Sequence, residues 1–122
     1  MAQKKVTAPE DKVLLYRKLL ESVKGIDTKS NFGSAYTAFT GNMYTVISKH
    51  GVVGIRLPHG EREAFLERYD TELFRGDPEW PPAKEFVAVP DHLLANTKLL
   101  RPYLEKSFAY AKTLKSKGGK RS

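Results

Sequence analysis

The sequence of 122 residues contains no cysteine and no long apolar run. Without cysteine the chain has no disulfide, no thiolate nucleophile and no Cys-ligated zinc, a composition that fits a reducing compartment. No segment approaches the ~20 apolar residues that a membrane-spanning helix needs, and the N-terminal Met1-Ala2-Gln3-Lys4-Lys5 lacks the apolar centre of an export signal. We therefore expect a cytoplasmic protein with no membrane partner.

Acidic residues are missing from the two ends of the chain, where the positive charge is concentrated. The basic residues there are Lys4, Lys5, Lys112, Lys115, Lys117, Lys120 and Arg121. Removing these seven from the 21 Lys and Arg leaves 14, which equals the 14 Asp and Glu, so the net charge of +7 belongs to the ends. Two interpretations stay open: solvated tails that keep a neutral domain soluble, or a weak, non-specific contact of these seven residues with nucleic-acid phosphates.

The composition is that of an ordinary globular domain, with 40% hydrophobic and 29% charged residues. A chain of this length buries roughly two thirds of its unfolded surface on folding, enough for one stable core. No internal repeat divides the sequence. We predict one domain over residues 8–115, with basic flexible tails at residues 1–7 and 116–122.

Three segments have the 3.6-residue period of amphipathic helices. The first is predicted over residues 9–24, with the Thr7 hydroxyl as its N-terminal cap. The second is predicted over residues 60–69. The third is predicted to begin close to Leu100, which places Pro102 in its first turn, because a proline deeper in a helix costs about 3 kcal/mol.

Between the first two helices the period changes to two, with aromatic and β-branched residues separated by glycine turns. The predicted strands cover residues 36–39, 43–48, 52–57 and 85–89. We expect one or two strands between the second and third helices, and residues 85–89 are one of them. On the third strand, Val53, Ile55 and Leu57 share the face that we expect in the core. A mainly antiparallel sheet covered by helices, an α+β two-layer sandwich, is the simplest way to bury these faces.

No arrangement of residues predicts catalysis. His50, His59 and His92 are dispersed and never lie four apart on one helix, so a metal site is not expected. The glycines form neither a dinucleotide-binding motif nor a P-loop. Ser48 lies near His50 without a nucleophile-elbow pattern. We expect that the protein is not an enzyme and has no catalytic residues, no cofactor and no metal.

Aromatic residues are the remaining candidates for a functional surface. Tyr36, Phe39 and Tyr44 on strands could form a base-stacking platform, although packing within the sheet explains them more simply. Trp80 lies in a proline-rich loop, where a large aromatic side chain could anchor a protein partner. The alternative is that Trp80 folds back as a lid on the sheet edge.

Five short motifs, in order and spacing, resemble the N-terminal domain of TfoX/Sxy-like proteins. They are Asn31-Phe32-Gly33, Gly41-Asn42-Met43-Tyr44, Ile55-Arg56-Leu57-Pro58, Lys84-Glu85-Phe86-Val87-Ala88-Val89-Pro90 and Ser107-Phe108-Ala109-Tyr110-Ala111. The resemblance spans residues 10–115. The sequence departs from the family in having Asn31 where a methionine is usual before Phe-Gly.

The resemblance implies an α-β3-α-β2-α order of elements and a non-enzymatic role. TfoX itself resembles a regulator of natural competence that acts with a cyclic-AMP-responsive transcription factor. The chain ends without the second domain of the full regulators, so we expect a stand-alone, bacterial-type domain.

Our leading hypothesis is an accessory or regulatory domain that acts through protein contacts, in transcriptional or competence-type regulation. Trp80 and an unpaired sheet edge are the surfaces that we expect a partner to use, and an open edge is compatible with a homodimer. The alternative hypothesis is a weak nucleic-acid binder that uses the basic tails.

Overall fold

The structure is a computed structural model that describes residues 9–26, 28–31, 34–77 and 79–114. The helices are α1 (Glu10–Glu21), α2 (His59–Arg68), α3 (Asp91–Leu94) and α4 (Thr97–Thr113). The strands are β1 (Thr28–Asn31), β2 (Ser34–Phe39), β3 (Asn42–Ile47), β4 (Val53–Arg56) and β5 (Phe86–Val89). No described helix is both long enough and apolar enough to cross a membrane.

The five strands form one antiparallel sheet in the order β1-β2-β3-β4-β5, so each strand lies beside its neighbour in the sequence. The predicted α+β two-layer sandwich is therefore confirmed. The grouping of the strands differs from the expected three and two, because four strands precede α2. After α2 come β5 and an isolated antiparallel bridge between Leu73 and Val87.

The helices cover one face of the sheet, and the side chains of that face form the core. Val53, Ile55 and Leu57 are fully buried there, as predicted. The helix residues buried against the sheet are Tyr16, Leu19 and Leu20 of α1, Phe65 of α2, Leu93 and Leu94 of α3, and Leu100, Leu104 and Ala111 of α4. In the described part of the chain, the helices bury their apolar residues against this face, and not against the opposite face, which carries Gly54 and Ala88 in one cross-strand row.

A buried chain of hydroxyl groups joins α1 to the centre of the sheet. Tyr16 Oη lies 2.8 Å from Thr45 Oγ1, which lies 2.6 Å from Thr37 Oγ1. Burial raises the pKa of Tyr16, so its hydroxyl stays neutral and available to this network. The pairing of β2 with β3 shifts between Thr37 and Ala38, and this β-bulge allows both Tyr44 and Thr45 to be buried on the helix side.

Two helix boundaries differ by three residues from the predicted ones, and the others by no more than one residue where a boundary was predicted. α1 ends at Glu21, before residue 24, because the Ser22 hydroxyl donates to the Leu19 carbonyl and the chain tightens into i→i−3 hydrogen bonds. α4 begins at Thr97, where the Asn96 side chain accepts the Leu99 N–H. Pro102 is therefore inside the helix, and its predicted place in the first turn is wrong. The predicted cap Thr7 lies outside the described residues.

Candidate functional site

A loop on the face of the sheet opposite the described helices carries the exposed tryptophan. We call residues 74–77 and 79–83 the Trp80 loop. Its two ends meet, because the Ala83 N–H donates to the Phe74 carbonyl at 2.8 Å. The Phe74 N–H in turn donates to the Phe86 carbonyl of β5 at 2.9 Å. These bonds fix the base of the loop to the edge of the sheet.

Asp77 organises the tip of the Trp80 loop. Its Oδ1 accepts the Glu79 N–H at 3.0 Å, and its carbonyl accepts the Trp80 N–H at 2.9 Å. The hydrogen bond from Glu79, together with the nearby charge of Lys49, lowers the pKa of Asp77. Its Oδ2 lies 3.5 Å from Lys49 Nζ and 3.8 Å from His50 Nε2. Asp77 thus connects the tip of the loop to the turn between β3 and β4.

Trp80 itself is exposed to solvent over 59% of its surface, although its backbone is held on both sides. Arg75 Nη1 donates to the Trp80 carbonyl at 2.6 Å. The indole lies so close to Gly76 that a β-carbon there would be 2.9 Å from Trp80 Cζ3. Glycine at position 76 therefore lets the ring rest on the backbone of its own loop, where its outer face is open to a partner.

The residue that folds back onto the sheet is Phe74, which was not among the predicted site residues. Phe74 is buried, and its ring lies directly over Gly54 of β4. A β-carbon at Gly54 would be 2.6 Å from Phe74 Cγ. The lid-like role that was one alternative for Trp80 thus belongs to Phe74, which leaves the indole on the surface.

A polar cluster, which we call the Arg56 cluster, lies where β4, β5 and α4 meet. Arg56 donates from Nε and Nη2 to Glu85 Oε1 at 2.8 and 2.7 Å, and from Nη1 to the Met43 carbonyl at 3.2 Å. The Tyr110 hydroxyl donates to Glu85 Oε2 at 3.1 Å. Partial burial opposes ionisation of Glu85, but Arg56 and Tyr110 outweigh it and lower the pKa of Glu85. Because its charges are already paired, this cluster serves as a structural clamp.

The basic residues that were predicted to contact nucleic acid are mostly outside the described part of the chain. Lys4, Lys5, Lys115, Lys117, Lys120 and Arg121 lie there. Lys112 is in the last turn of α4, where it is exposed and its Nζ lies 4.3 Å from the centre of the Phe108 ring. The structure therefore brings no two of these seven residues together within the described ranges.

The strand aromatics do not share one surface. Tyr44 is buried and stacks on Phe108 of α4 with the ring centres 5.3 Å apart. Phe39 meets the same Phe108 ring edge-on at 6.0 Å. Tyr36 pairs with Val46 in the row that continues to Gly54 and Ala88, on the opposite face of the sheet. Packing thus accounts for Tyr44, whereas Phe39 contacts Phe108 while 37% of its surface stays exposed.

The three histidines lie at separate places: His50 in the β3–β4 turn, His59 at the start of α2 and His92 in α3. Among the described residues, no group of three or more His, Cys, Asp or Glu side chains could hold a metal ion. At the sheet edges, β1 has β2 as its one neighbour within the described part of the chain, whereas β5 is flanked by the Leu73 bridge. The edge that a partner strand could use is therefore that of β1.

A comparison of the sequence with protein-family models gives no match, and a comparison with curated proteins gives none either.

Proposed function

We propose that this chain is a non-enzymatic accessory or regulatory domain of the TfoX/Sxy-like type that acts through protein contacts centred on Trp80. The observation that carries this proposal is an exposed tryptophan on a loop whose backbone is already fixed. Tryptophan is among the residue types enriched at the energetic centres of protein interfaces. A fixed loop loses little conformational entropy on binding, so more of the contact energy remains as affinity.

The size of the expected effect follows from the exposed area of the indole. A tryptophan buries up to about 250 Å², so the 59% that is exposed corresponds to about 150 Å². At about 25 cal/mol per Å² that area corresponds to about 4 kcal/mol, and ordering the side chain at an interface takes back about 0.5–1.5 kcal/mol, so burial would contribute about 2–4 kcal/mol. Trp80→Ala is therefore expected to weaken the binding of a partner by about 30- to 1,000-fold.

Partner capture from a nuclease-treated bacterial extract tests the proposal, with the full chain immobilised and captured proteins quantified by mass spectrometry. The matched control is Leu14→Ala, because Leu14 is an apolar side chain of α1 with a similar exposure of 57%. We expect a set of proteins that wild type and the Leu14 variant retain and that Trp80→Ala loses. If Trp80→Ala, shown to be folded by circular dichroism, captures the same proteins as wild type, the proposal is wrong.

The competence-type regulation that the resemblance implies is part of the same proposal. A transcription factor responsive to cyclic AMP is the partner class to test directly, by measuring its binding to wild type and to Trp80→Ala. Binding that depends on Trp80 would support a regulatory role. Equal binding to both proteins would remove Trp80 from that role.

A further inference from the structure

A cavity of about 220 Å³ lies beside the Trp80 loop, on the face of the sheet opposite the described helices. Its lining residues are Ser48, His50, Val52, Glu72, Leu73, Arg75 and Ala88. Arg75 belongs to the Trp80 loop and donates to the Trp80 carbonyl, and His50 lies against Asp77 of the same loop. None of the lining belongs to the Arg56 cluster, so this cavity is a separate site.

The walls of the cavity are held in place by the sheet and its turns. Ser48 Oγ accepts the N–H groups of His50 and Val52, both at 3.2 Å. The Ala88 N–H donates to the Glu72 carbonyl at 2.9 Å. Because these bonds are internal to the fold, the cavity exists before any ligand arrives, which lowers the entropic cost of binding.

The charges at the cavity are of opposite sign and are not paired with each other. Among the described residues, no hydrogen bond or ion pair engages the Glu72 carboxylate. The Arg75 guanidinium uses one N–H on the Trp80 carbonyl, which leaves further donors in its fixed fork for a carboxylate. A ligand with one charge alone would meet attraction at one of these groups and repulsion at the other.

The remaining lining is suited to a short apolar group. Val52, Leu73 and Ala88 contribute aliphatic surface to the same cavity. A volume of about 220 Å³ is smaller than the roughly 300–1,000 Å³ of pockets that hold drug-sized ligands, which favours a molecule of the size of a small aliphatic amino acid.

We propose that this cavity binds a small zwitterionic amino acid with an aliphatic side chain. The carboxylate contacts Arg75, the ammonium group contacts Glu72, and the side chain lies among Val52, Leu73 and Ala88. This site needs no protein partner, so the proposal is independent of the role assigned to Trp80.

Three small molecules of matched shape test the proposal on the full chain by amide NMR: L-valine, isobutyrate with the carboxylate alone, and isobutylamine with the amine alone. We expect saturable shifts at Val52, Leu73 and Ala88 with valine, with a Kd of about 1 mM or tighter. Each singly charged molecule should bind at least about tenfold more weakly, because it leaves one charged group unpaired. Equal binding of isobutyrate, or no saturable shift with valine, would overturn the proposal.

Two variants test whether the ammonium group of valine contacts Glu72. Glu72→Gln keeps the shape of the side chain and should weaken the binding of valine by about tenfold. The control is Glu79→Gln, which changes a carboxylate of the Trp80 loop outside the cavity lining and should leave the Kd for valine unchanged. Unchanged valine affinity in Glu72→Gln would refute the assignment. The three-ligand comparison on wild type does not depend on any variant folding. Because valine is titrated without a protein partner, its failure to bind and a failure of Trp80-dependent capture are separate results.

Discussion

Replacing Gly54 with alanine would drive a methyl group into the ring of Phe74. The new β-carbon would lie 2.6, 2.8 and 3.0 Å from Phe74 Cγ, Cδ1 and Cδ2. Carbon atoms in favourable contact are about 3.5–4.0 Å apart, so the ring would have to retreat by about 1 Å. It cannot do so freely, since the backbone of Phe74 is hydrogen-bonded to Phe86 and to Ala83.

We expect Gly54→Ala to lower the free energy of unfolding by about 1–3 kcal/mol, the usual cost of overpacking. The strain should reach the Trp80 loop, because Phe74 forms its base. Urea unfolding followed by circular dichroism measures the stability. The fluorescence of Trp80 in the native state reports the loop alone, since the chain has one tryptophan.

A second glycine provides the control. At Gly60 in the first turn of α2, a β-carbon would meet no atom within 4 Å. Gly60→Ala should therefore raise stability by up to about 1 kcal/mol, because alanine has the higher helix propensity. Gly54→Ala is thus expected to lower the free energy of unfolding, and Gly60→Ala to raise it.

A double-mutant cycle with Phe74→Ala separates the clash from other effects of the methyl group. The three nearest atoms to the new β-carbon all belong to Phe74, so removing the ring should remove most of the penalty of Gly54→Ala. The expected coupling is about 1–3 kcal/mol. A penalty of the same size in both backgrounds, or a neutral Gly54→Ala, would refute the packing argument.

Three further changes test other parts of the fold. Thr40 has a φ of 49° in the β2–β3 turn, so Thr40→Asn should raise the free energy of unfolding by about 1 kcal/mol; an unchanged urea midpoint would contradict this. Thr45→Val should cost about 2–4 kcal/mol and more than Tyr16→Phe, because the Thr45 hydroxyl bonds two partners. Equal thermal stabilities of the two variants would show that the bond from Thr45 to Thr37 contributes little. The pKa of Glu85 is lower in the folded chain, so its ionised form stabilises the fold above about pH 4.3, and that contribution is lost as the pH falls. The difference in stability between wild type and Glu85→Gln should therefore shrink in acid. A difference that does not depend on pH would contradict the role of Arg56.

The sheet and most of the core could be predicted from the sequence because their signals are local. Alternating apolar residues and glycine turns identified three central strands, and the face carrying Val53, Ile55 and Leu57 is the buried one. β1 could not be predicted, because Thr-Lys-Ser-Asn has no apolar alternation and its pairing with β2 is the evidence that it is a strand. The resemblance to TfoX/Sxy-like domains stays a prediction.

The candidate site was predicted only in part. The proline-rich sequence around Trp80 indicated an irregular loop and left open whether the indole is exposed or folds back on the sheet edge; in the structure the indole is exposed. The tether from Asp77 to Lys49 and the contact of Phe74 with Gly54 join segments far apart in sequence. No local period encodes such contacts, so the cavity between the loop and the sheet could not be foreseen either.

The order of the strands has a consequence for how this protein can change over evolutionary time. β4 and β5 are neighbours both in the sheet and in the order of strands along the chain. The segment between them therefore leaves the sheet after β4 and returns to it beside β4. Longer loops add only slowly to the entropic cost of closure. Insertions or new side chains around Trp80 would therefore leave every strand pairing of the main sheet in register, so the surface of this domain is free to diversify while the scaffold beneath it stays constant.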